Sequence, residues 1–459
     1  MSAYRTINPA TGQTLEEHPV IGDAAVEDIL ARFADAFTTF RHLPLEERTS
    51  VLRRAAALHR ERIDELAEIL TVEMGKPITQ ARGEVTLVAS IYEYYADNAA
   101  RFLAEENLDI VGGGEARVRT EPIGPLLGVM PWNYPYYQVA RFAAPNLALG
   151  NTIILKHARN CPRSALAIET LLTDAGLPRD AYINAFVDSR QVATIVADDR
   201  IRGVSLTGSE KAGAAVGEIA GRHMKKYVLE LGGSDPFIVL DDADLDAAVA
   251  AAITGRYANG GQACTASKRF IVVDSVYEDF TRRFIDAVAA IAAGDPMDPT
   301  TFLGPLSSAA AGDELDEIVR DAVDKGATLH AAPGAQRSGA FYPPSVLTEV
   351  TPVMRAFEEE LFGPTAVVYR VPSPQAAVQL ANSSPYGLSS SVFTRNAEQA
   401  ATIARQLEAG MVWINSTSKS APDLPFGGVK RSGVGRELGR FGIDEFANKK
   451  LVRILEPLG

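Results

Sequence analysis

The chain has 459 residues, 46% of them hydrophobic and 22% charged, with a formal net charge of −13. This composition is typical of a globular protein of two or three domains, and its acidic balance argues against nucleic acid or an anionic membrane as a partner. Two cysteines cannot form a disulfide framework, and no signal-peptide pattern is present, so we expect a cytoplasmic protein. Six histidines show no metal-ligand spacing and no apolar segment is long enough to span a bilayer, so we expect no metal site and no membrane segment.

The predicted elements change character along the chain. Residues 24–108 carry apolar residues at helical spacing, which predicts mostly helices. From residue 125 short apolar strands alternate with helices, and the alternation starts again after a boundary near residue 235. This pattern predicts parallel sheets in two α/β units. Two short β segments, 118–124 and 449–457, are left over, and unpaired strands of this kind often join subunits.

The stretch ANGGQACTASKR, residues 258–269, raises the question of whether Cys264 is reactive. A thiol becomes a good nucleophile as its thiolate, which nearby positive charge or a helix N-terminus favours. Lys268 and Arg269 follow closely, the segment can open a short helix, and the two glycines before Cys264 permit close approach of a ligand. The alternative is a buried structural cysteine, which is the commoner role.

Polar side chains follow two of the predicted strands at their carboxyl ends, where ligands collect in parallel sheets. Glu230, in VLELGGSDP, ends an apolar strand; desolvation there would raise its pKa and suit it to act as a base. Asn133, in VMPWNYP, could donate its amide to a developing oxyanion. A surface or N-capping glutamate and a loop-stabilising asparagine are the alternatives.

Two further strand ends indicate an anion site. Lys156 and Arg159, in IILKHARN, are two cations beyond one strand, and such a pair suits a phosphate. The segment LTGSEKAGAAVG places Gly208 and Ser209 between a strand and a helix whose N-terminus can hold an anion. This loop is not a Walker A motif, because Ala214 stands where that motif has lysine.

Together these motifs resemble the aldehyde dehydrogenase superfamily. The likeness runs from about residue 5 to the end, and the segments that carry it stand in the family's order: PWNYP, LKHARN, LTGSEKAG, LELGGSDP, NGGQACTASKR, EEELFGP and PFGGVKRSGVGRE. The resemblance implies an α/β fold of two Rossmann-like domains, one for the cofactor and one for catalysis, with a small β oligomerisation element that would join the chain into a homodimer or homotetramer.

The resemblance also implies a partition of the chain. Residues 1–106 and 124–234 would form the NAD(P)-binding domain, residues 235–430 the catalytic domain, and residues 107–123 and 431–459 the oligomerisation element. The two leftover β segments fall within or at the edge of that last element.

The resemblance implies three catalytic roles. Cys264 matches the nucleophile that attacks the aldehyde, Asn133 the donor to the oxyanion, and Glu230 the base that activates water to hydrolyse the thioester. A hydride would leave the intermediate thiohemiacetal for the nicotinamide. Relatives that transfer the acyl group to coenzyme A generally lack this glutamate, so its presence favours a free acid as product.

The family's cofactor site is matched by residues from three parts of the chain. Lys156 corresponds to the residue that reaches a ribose, Gly208 and Ser209 to the turn at the pyrophosphate, and Glu360 to the residue that holds the nicotinamide ribose. The remaining matches line the crevice, and they are Trp132, Leu231 and Phe362.

The preferred cofactor is predicted from Arg159. Many members that prefer NAD carry glutamate at this position, where it binds the adenosine ribose. A carboxylate repels a 2′-phosphate, whereas a guanidinium can pair with it. We therefore predict NADP as the preferred cofactor with NAD as a second one. The alternative is that Arg159 points to solvent and leaves the preference undecided.

Within the superfamily the chain is most similar to succinate-semialdehyde dehydrogenases of the shorter bacterial type. Arg141 lies about two helical turns beyond Asn133 and matches an arginine that binds the substrate carboxylate in that group. A second arginine of better-known members is replaced by Ala258, and Ser420 or Lys419 is the candidate substitute.

Other activities stay open at this point. The chain could oxidise another ω-carboxy aldehyde or a neutral one. A cofactor-independent thiol hydrolase that uses Cys264 and Glu230, and a structural relative without activity, are the alternatives from other classes.

Overall fold

The computed structural model describes residues 3–455. The strands, in chain order, are β1 Ala3–Ile7, β2 Thr14–Pro19, β3 Glu106–Asn107, β4 Glu115–Pro122, β5 Leu126–Val129, β6 Ile153–Lys156, β7 Tyr182–Asn184, β8 Gly203–Thr207, β9 Lys226–Glu230, β10 Asp235–Val239, β11 Ser267–Val273, β12 Thr328–Ala331, β13 Ser345–Thr348, β14 Thr365–Val371, β15 Tyr386–Gly387, β16 Ser389–Phe393, β17 Met411–Ile414, β18 Val429–Lys430, β19 Gly433–Val434 and β20 Ala447–Ile454.

The helices, in chain order, are α1 Asp23–Phe40, α2 Leu45–Glu61, α3 Ile63–Met74, α4 Ile78–Phe102, α5 Pro135–Leu149, α6 Pro162–Asp174, α7 Ser189–Ala197, α8 Glu210–Arg222, α9 Leu245–Tyr257, α10 Asp274–Ala289, α11 Ala309–Asp324, α12 Arg355–Glu358, α13 Pro374–Asn382, α14 Ala397–Gln406 and α15 Phe441–Asp444. A short 3₁₀ turn, Ala258–Gly261, follows α9. None of the helices within residues 3–455 is long and apolar enough to cross a membrane.

The first large sheet has six strands in the order β19-β9-β8-β5-β6-β7. All neighbours pair in parallel except β19, which runs antiparallel to β9. From β5 the chain builds outward through β6 and β7, and then returns to the other side of β5 with β8 and β9. This reversal of strand order is a topological switch point, and a crevice opens there at the carboxyl ends of the strands.

Helices cover both faces of this sheet because its strands are apolar on both sides. Adjacent residues point to opposite faces. Leu126 and Ile153 belong to the core that contains α4 and α5, whereas Leu127 and Ile154 belong to the core that contains α1, α7 and α8. The short apolar runs of the sequence are therefore fully buried strands, and the predicted parallel arrangement is confirmed.

The second large sheet has seven strands in the order β12-β13-β14-β11-β10-β16-β17, and all neighbours are parallel except β12 with β13. The α/β fold class with two parallel sheets is thus confirmed. Two local features differ from what the sequence pattern predicts. The apolar run INAFV, 183–187, predicts a strand, but the strand there, β7, ends at Asn184. The N-terminal hairpin of β1 and β2 was not predicted.

The two leftover segments pair with each other. β4 and β20 form an antiparallel ladder, with β3 on the other side of β4, in a separate three-stranded sheet. β19, which lies in the predicted oligomerisation element 431–459, pairs with β9 in the first large sheet and not with the small sheet. The exact domain limits and the role of the small sheet in joining subunits stay predictions.

Candidate active site

Four predicted site residues meet at one edge of the first sheet. Glu230 ends β9, Gly208 follows β8, Asn133 follows β5 and Lys156 ends β6. These strands are neighbours in the order β9-β8-β5-β6 and run parallel, so their carboxyl ends line up. The edge includes the switch point between β5 and β8, where ligands bind in folds of this kind.

A cavity of about 260 Å³ lies at this edge. Nine of the predicted site residues line it, and they are Trp132, Asn133, Gly208, Ser209, Glu230, Leu231, Cys264, Glu360 and Phe362. The other three, Arg141, Lys156 and Arg159, do not lie on its wall. Sequence reasoning did not single out five further lining residues, which are Pro131, Gln138, Thr207, Gly232 and Glu314.

Cys264 lies in a turn between the 3₁₀ segment and β11 and not at the start of a helix, so the expected short helix is wrong. The chain reaches this turn through Asn259, Gly260 and Gly261, all with positive φ. At Gly261 a side chain is also excluded by space, because a Cβ atom would lie 2.5 Å from the carbonyl oxygen of Gly363. The two glycines thus permit the close backbone approach that the sequence indicated.

Burial raises the pKa of the Cys264 thiol to about 12, although Arg141 and Lys268 lower it. Lys268 lowers the pKa as the sequence predicted, but desolvation outweighs the basic neighbours. Arg269 takes no part, because its guanidinium donates to the carbonyls of Leu380 and Ala381 at the end of α13.

Glu230 is 2% exposed, and neither of its carboxyl oxygens has a hydrogen-bond partner among residues 3–455. Burial raises its pKa well above the usual value, Arg141 lowers it, and Glu437 raises it further. The predicted raised pKa at this strand end is confirmed. A carboxyl group with these properties is suited to accept a proton from water and to release it again.

Hydrogen bonds at both ends fix the Asn133 amide. Its Nδ2 donates to the carbonyl of Gln262 at 2.9 Å, and its Oδ1 accepts from Gln138 Nε2 at 3.0 Å. One N–H of Nδ2 is left to donate to a reacting oxygen. Gln138 belongs to no motif that sequence reasoning used. The only signal for it is its position in the first turns of the predicted helix that follows Asn133. Lys76 Nζ donates to the Asn133 carbonyl at 2.9 Å and supports the loop from behind.

The segment before β14 brings Glu360 and Phe362 to the same cavity. Glu360 accepts from the backbone amide of Gly233 at 3.2 Å and forms an ion pair with buried Lys268 at 2.9 Å. The Phe362 ring packs edge to face on Trp132, with centroids 5.7 Å apart. These contacts link the segments that carry the cofactor matches to the segment that carries the thiol.

The turn after β8 has the geometry of an anion-binding helix start. Ser209 is the N-cap of α8, and its hydroxyl accepts from the amide of Ala212. The Gly208 amide donates to the carbonyl of Glu230 at 2.9 Å, which ties this turn to the neighbouring strand end. The remaining amides of the first helical turn have no partner within the helix and can donate to a phosphate.

Lys156 is the last residue of β6, and Arg159 lies three residues beyond it, next to this edge. Arg159 is exposed, and no acidic side chain among residues 3–455 forms an ion pair with either cation. Burial, and then the charge of Arg159, lowers the pKa of Lys156 to about 8. The two cations are therefore close enough to interact, and both are available to an anionic ligand.

Arg141 is buried under the cavity and is already paired. It forms an ion pair with Glu437 and donates to Thr207 Oγ1 at 3.2 Å and to Tyr137 Oη at 3.4 Å. Tyr137 in turn donates to Ser420 Oγ at 2.7 Å, so the serine named as a substitute for the missing arginine belongs to the same cluster.

Charge keeps the guanidinium ionised despite its burial. Burial lowers the pKa of Arg141, but Glu437, Tyr137 and Glu230 outweigh it, and the pKa is raised above the usual value. Sequence reasoning missed Glu437, although it lies in the quoted PFGGVKRSGVGRE segment. No group of three or more His, Cys, Asp or Glu side chains in the described part of the chain is placed to hold a metal ion.

The chain belongs to the aldehyde dehydrogenase family, whose model matches residues 1–452. It is 53% identical to a succinate-semialdehyde dehydrogenase [NADP(+)] of Deinococcus radiodurans, over 98% of this chain and 94% of that protein. It is 44% identical to the enzyme of the same name from Mycobacterium avium, over 98% and 96% of the two chains.

Solved structures show the same likeness. The structure of succinic semialdehyde dehydrogenase from Streptococcus pyogenes in complex with NADP+ superposes with a TM-score of 0.96 at 42% identity, covering 99% of this chain and all of that one. The structure of succinate-semialdehyde dehydrogenase from Burkholderia pseudomallei gives a TM-score of 0.96 at 36% identity, over 99% and 95% of the two chains.

Proposed function

We propose that this chain oxidises succinate semialdehyde to succinate with NADP⁺, and that it uses NAD⁺ as a second cofactor. The observation that carries the substrate is the buried cationic cluster of Arg141, Tyr137 and Ser420 beside the cavity that holds the thiol. A carboxylate at the far end of a short aldehyde needs such a cation and hydroxyl donors. Relatives named for this activity, similar over nearly the whole chain, support the assignment.

Cys264 is the nucleophile: its thiol proton passes to the ionised carboxyl group of Glu230, which lines the same cavity, and the sulfur bonds to the aldehyde carbon to form a thiohemiacetal. Glu230 releases this proton to solvent before it acts again. Arg141 and Lys268 offset part of the cost of negative charge on the sulfur. The carbonyl oxygen becomes an oxyanion, and the free N–H of Asn133 Nδ2 together with the backbone amide of Cys264 would hold it. One donor of this kind typically contributes about 10²–10³-fold to the rate.

Bound NADP⁺ supplies the hydride acceptor that turns the thiohemiacetal into a thioester. The residues present fit that cofactor. Glu360 and Phe362 lie beside Cys264 for the nicotinamide ribose and ring, Ser209 caps the helix that would face the pyrophosphate, and the crevice lies at the switch point of the first sheet.

Glu230 then activates water to hydrolyse the thioester. Its buried and unpaired carboxyl group accepts the water proton as the C–O bond forms, and the Cys264 sulfur leaves. The product is a free carboxylic acid. Two negative groups near Arg141, the substrate carboxylate and the transiently ionised Glu230, both favour the charged guanidinium.

The preference for NADP⁺ follows from two cations without an ion pair among residues 3–455, Lys156 at the end of β6 and Arg159 just beyond it. Arg159 is exposed and free to meet a 2′-phosphate, and Lys156 lies close to it. A phosphate dianion paired with two cations gains charge-assisted hydrogen bonds that NAD⁺, with only ribose hydroxyls there, cannot form.

We also propose that the enzyme is a cytoplasmic homodimer or homotetramer. Support for assembly comes from the three-stranded sheet, where β20 lies at an edge and carries the exposed residues Leu451 and Ile454. Edges of this kind are normally covered. The domain limits given under the sequence analysis belong to the same proposal.

The test is the absorbance of reduced nicotinamide with purified protein. Succinate semialdehyde, glutarate semialdehyde, butyraldehyde and acetaldehyde would each be offered with NADP⁺ or NAD⁺. We expect the highest kcat/KM for succinate semialdehyde with NADP⁺. Equal turnover of butyraldehyde would retain the dehydrogenase and refute the substrate.

Cys264→Ala is the matched control. It should abolish reduction while NADP⁺ binding, measured by calorimetry, is retained. No reduction with any aldehyde by the unaltered protein, together with hydrolysis of an activated ester without dinucleotide, would favour a thiol hydrolase over the dehydrogenase.

A further inference from the structure

Arg256 is a buried cation that the proposed mechanism does not use. It lies in the last turn of α9, eight residues before Cys264, and is 0% exposed. No acidic side chain among residues 3–455 forms an ion pair with it. Burial lowers the pKa of Arg256 to about 10, with Tyr257 and Glu360 acting in the opposite direction. A buried guanidinium without a carboxylate is costly, so its polar contacts must offset that cost.

All of its hydrogen bonds go to one segment of chain. Arg256 Nε donates to the carbonyl of Thr365 at 2.9 Å, and Nη2 donates to the carbonyls of Leu361, at 2.7 Å, and Gly363. Three alternate carbonyls therefore converge on one planar group. The fixed fork of donors in a guanidinium suits this geometry, and a single ammonium does not.

The segment that Arg256 holds is the one that carries Glu360 and Phe362. Residues 360–362 lie outside any helix or strand, and β14 begins only at Thr365. With the carbonyls of Leu361 and Gly363 turned to Arg256, the side chains of Glu360 and Phe362 reach the cavity wall. The cofactor contacts thus depend on a segment that has few backbone partners of its own.

The same segment touches the thiol loop at a second point. Gly261, three residues before Cys264, approaches Gly363 so closely that a Cβ atom would lie 2.5 Å from its carbonyl oxygen. The same Cβ atom on Gly261 would lie 3.0 Å from the carbonyl oxygen of Arg256. Arg256 and Gly261 therefore fix the thiol segment, 258–264, against the cofactor segment, 360–365.

We propose that Arg256 is a positioning residue that holds segment 360–365 in the conformation that binds the nicotinamide riboside half of the cofactor. This proposal rests on the proposed dehydrogenase function. Arg256 acts through Glu360 and Phe362 and does not itself touch the cofactor. Without it, the segment must find its bound conformation at the moment of binding, and the cofactor affinity falls accordingly.

The experiment compares Arg256→Met and Arg256→Lys with the unaltered enzyme. The measurements are the Kd of NADP⁺ by calorimetry, KM for both substrates, kcat, and the rate at which iodoacetamide alkylates the thiol. Alkylation of the folded protein reports on Cys264, because Cys161 is 0% exposed.

We expect Arg256→Met to raise the Kd and KM of NADP⁺ by about tenfold to a hundredfold, since hydrogen bonds to a buried charge are lost. The KM of succinate semialdehyde and the alkylation rate should stay within about twofold. For Arg256→Lys we expect a Kd and a KM of NADP⁺ between those of the unaltered enzyme and those of Arg256→Met, because an ammonium can reach one or two of the carbonyls. Hydrogen exchange of the amides in segment 360–365 should be faster in both variants.

Arg269→Met is the matched control. Arg269 is 1% exposed and also donates to backbone carbonyls, those of Leu380 and Ala381, but these lie at the end of α13. The Arg269→Met variant should lose thermal stability, as Arg256→Met does, but should keep the NADP⁺ affinity of the unaltered enzyme.

Unchanged NADP⁺ affinity in both Arg256 variants, or an equal loss in Arg269→Met, would overturn the role of Arg256. If Arg256→Met does not fold, Arg256→Lys decides the question, since it keeps the charge. Failure of the unaltered enzyme to bind NADP⁺ would instead refute the proposed function.

Discussion

The two ends of the site present positive charge in opposite ways. At the proposed substrate end, Arg141 is 1% exposed, ion-paired with Glu437 and hydrogen-bonded to Thr207. At the proposed cofactor end, Lys156 ends β6 and Arg159 follows it, and neither forms an ion pair among the described residues. Arg141 is enclosed and already neutralised, whereas Arg159 is exposed and Lys156 half-buried, and neither of these two is paired within residues 3–455.

This difference indicates two modes of recognition. A carboxylate that reaches Arg141 must share it with Glu437, so binding depends on hydrogen-bond geometry and on the exclusion of water. A phosphate that meets Arg159 gains mainly Coulomb energy across solvent, which salt screens. The substrate end is therefore expected to select by shape and the cofactor end by charge.

The largest effect is expected from Arg141→Met. Loss of two charge-assisted hydrogen bonds should lower kcat/KM for succinate semialdehyde by about 10²–10³-fold. Butyraldehyde, which has no carboxylate, should lose less than about fivefold, since it makes no such bonds. Steady-state kinetics with both aldehydes checks this difference.

The control for that variant addresses the charge it leaves behind. Arg141→Met leaves Glu437 buried and unpaired, which destabilises the fold. The double variant Arg141→Met/Glu437→Gln removes both charges and should regain thermal stability without regaining the preference for succinate semialdehyde. If both aldehydes decline in parallel, Arg141 has a structural role only.

Reversal of charge at the cofactor end should have the next largest effect. Arg159→Glu should change the ratio of kcat/KM for NADP⁺ to that for NAD⁺ by about 10–100-fold towards NAD⁺, because a carboxylate repels the 2′-phosphate. The KM of succinate semialdehyde at saturating cofactor should not change. Arg179→Glu, at a side chain that is 89% exposed, is the control for a general charge effect. An equal shift in that control would contradict the role of Arg159.

Salt should separate the two ends in the unaltered enzyme. Between roughly 50 mM and 500 mM ionic strength the KM of NADP⁺ should rise several-fold, since exposed charges are screened. The KM of succinate semialdehyde should rise less, because Arg141 is shielded from solvent. Comparing the KM of NADP⁺ in salts of different anions at the same ionic strength distinguishes screening, which depends on ionic strength, from competition by the anion for the phosphate site. Equal salt dependence of both constants would remove the distinction drawn between the two ends.

The smallest effect is expected in the pH dependence of NADP⁺ binding. Burial and the charge of Arg159 lower the pKa of Lys156 to about 8. In the enzyme without cofactor, Lys156 therefore loses its charge as the pH rises through that value. The Kd of NADP⁺ should therefore increase by a few-fold between about pH 7 and 9. Arg141 has a raised pKa and does not titrate there.

Lys156→Arg identifies the group that titrates. An arginine stays charged over this pH range, so the increase in Kd should disappear in calorimetric titrations of this variant. If the same increase persists, another group is responsible.

The sequence predicted much of the first sheet and its site residues. Alternating apolar strands and helices define parallel strands, and polar residues at their carboxyl ends must then meet at one edge. Glu230, Asn133 and Gly208 lie there for this reason. The motifs of NGGQACTASKR and EEELFGP supplied Cys264 and Glu360 only through the resemblance to a family.

The second sheet shows why the remainder needed the tertiary structure. Cys264 precedes β11 and Glu360 precedes β14, so both lie at the amino ends of their strands. The rule that ligands collect at carboxyl ends does not find them. They reach the cavity through long-range contacts: Glu360 pairs with Lys268 and accepts from the amide of Gly233, and Arg256 holds the segment that follows.

The sequence by itself determined the fold class, which depends on local periodicity, and the family, which the ordered motifs indicate by resemblance. The same motifs supplied the residues proposed to react. The tertiary structure decided their charge states and partners. Burial raises the pKa of Cys264 in spite of its basic neighbours, and Glu437 pairs with Arg141 although 296 residues separate them in the chain. Desolvation and long-range pairing depend on what surrounds a group in space, and residue order does not give that directly.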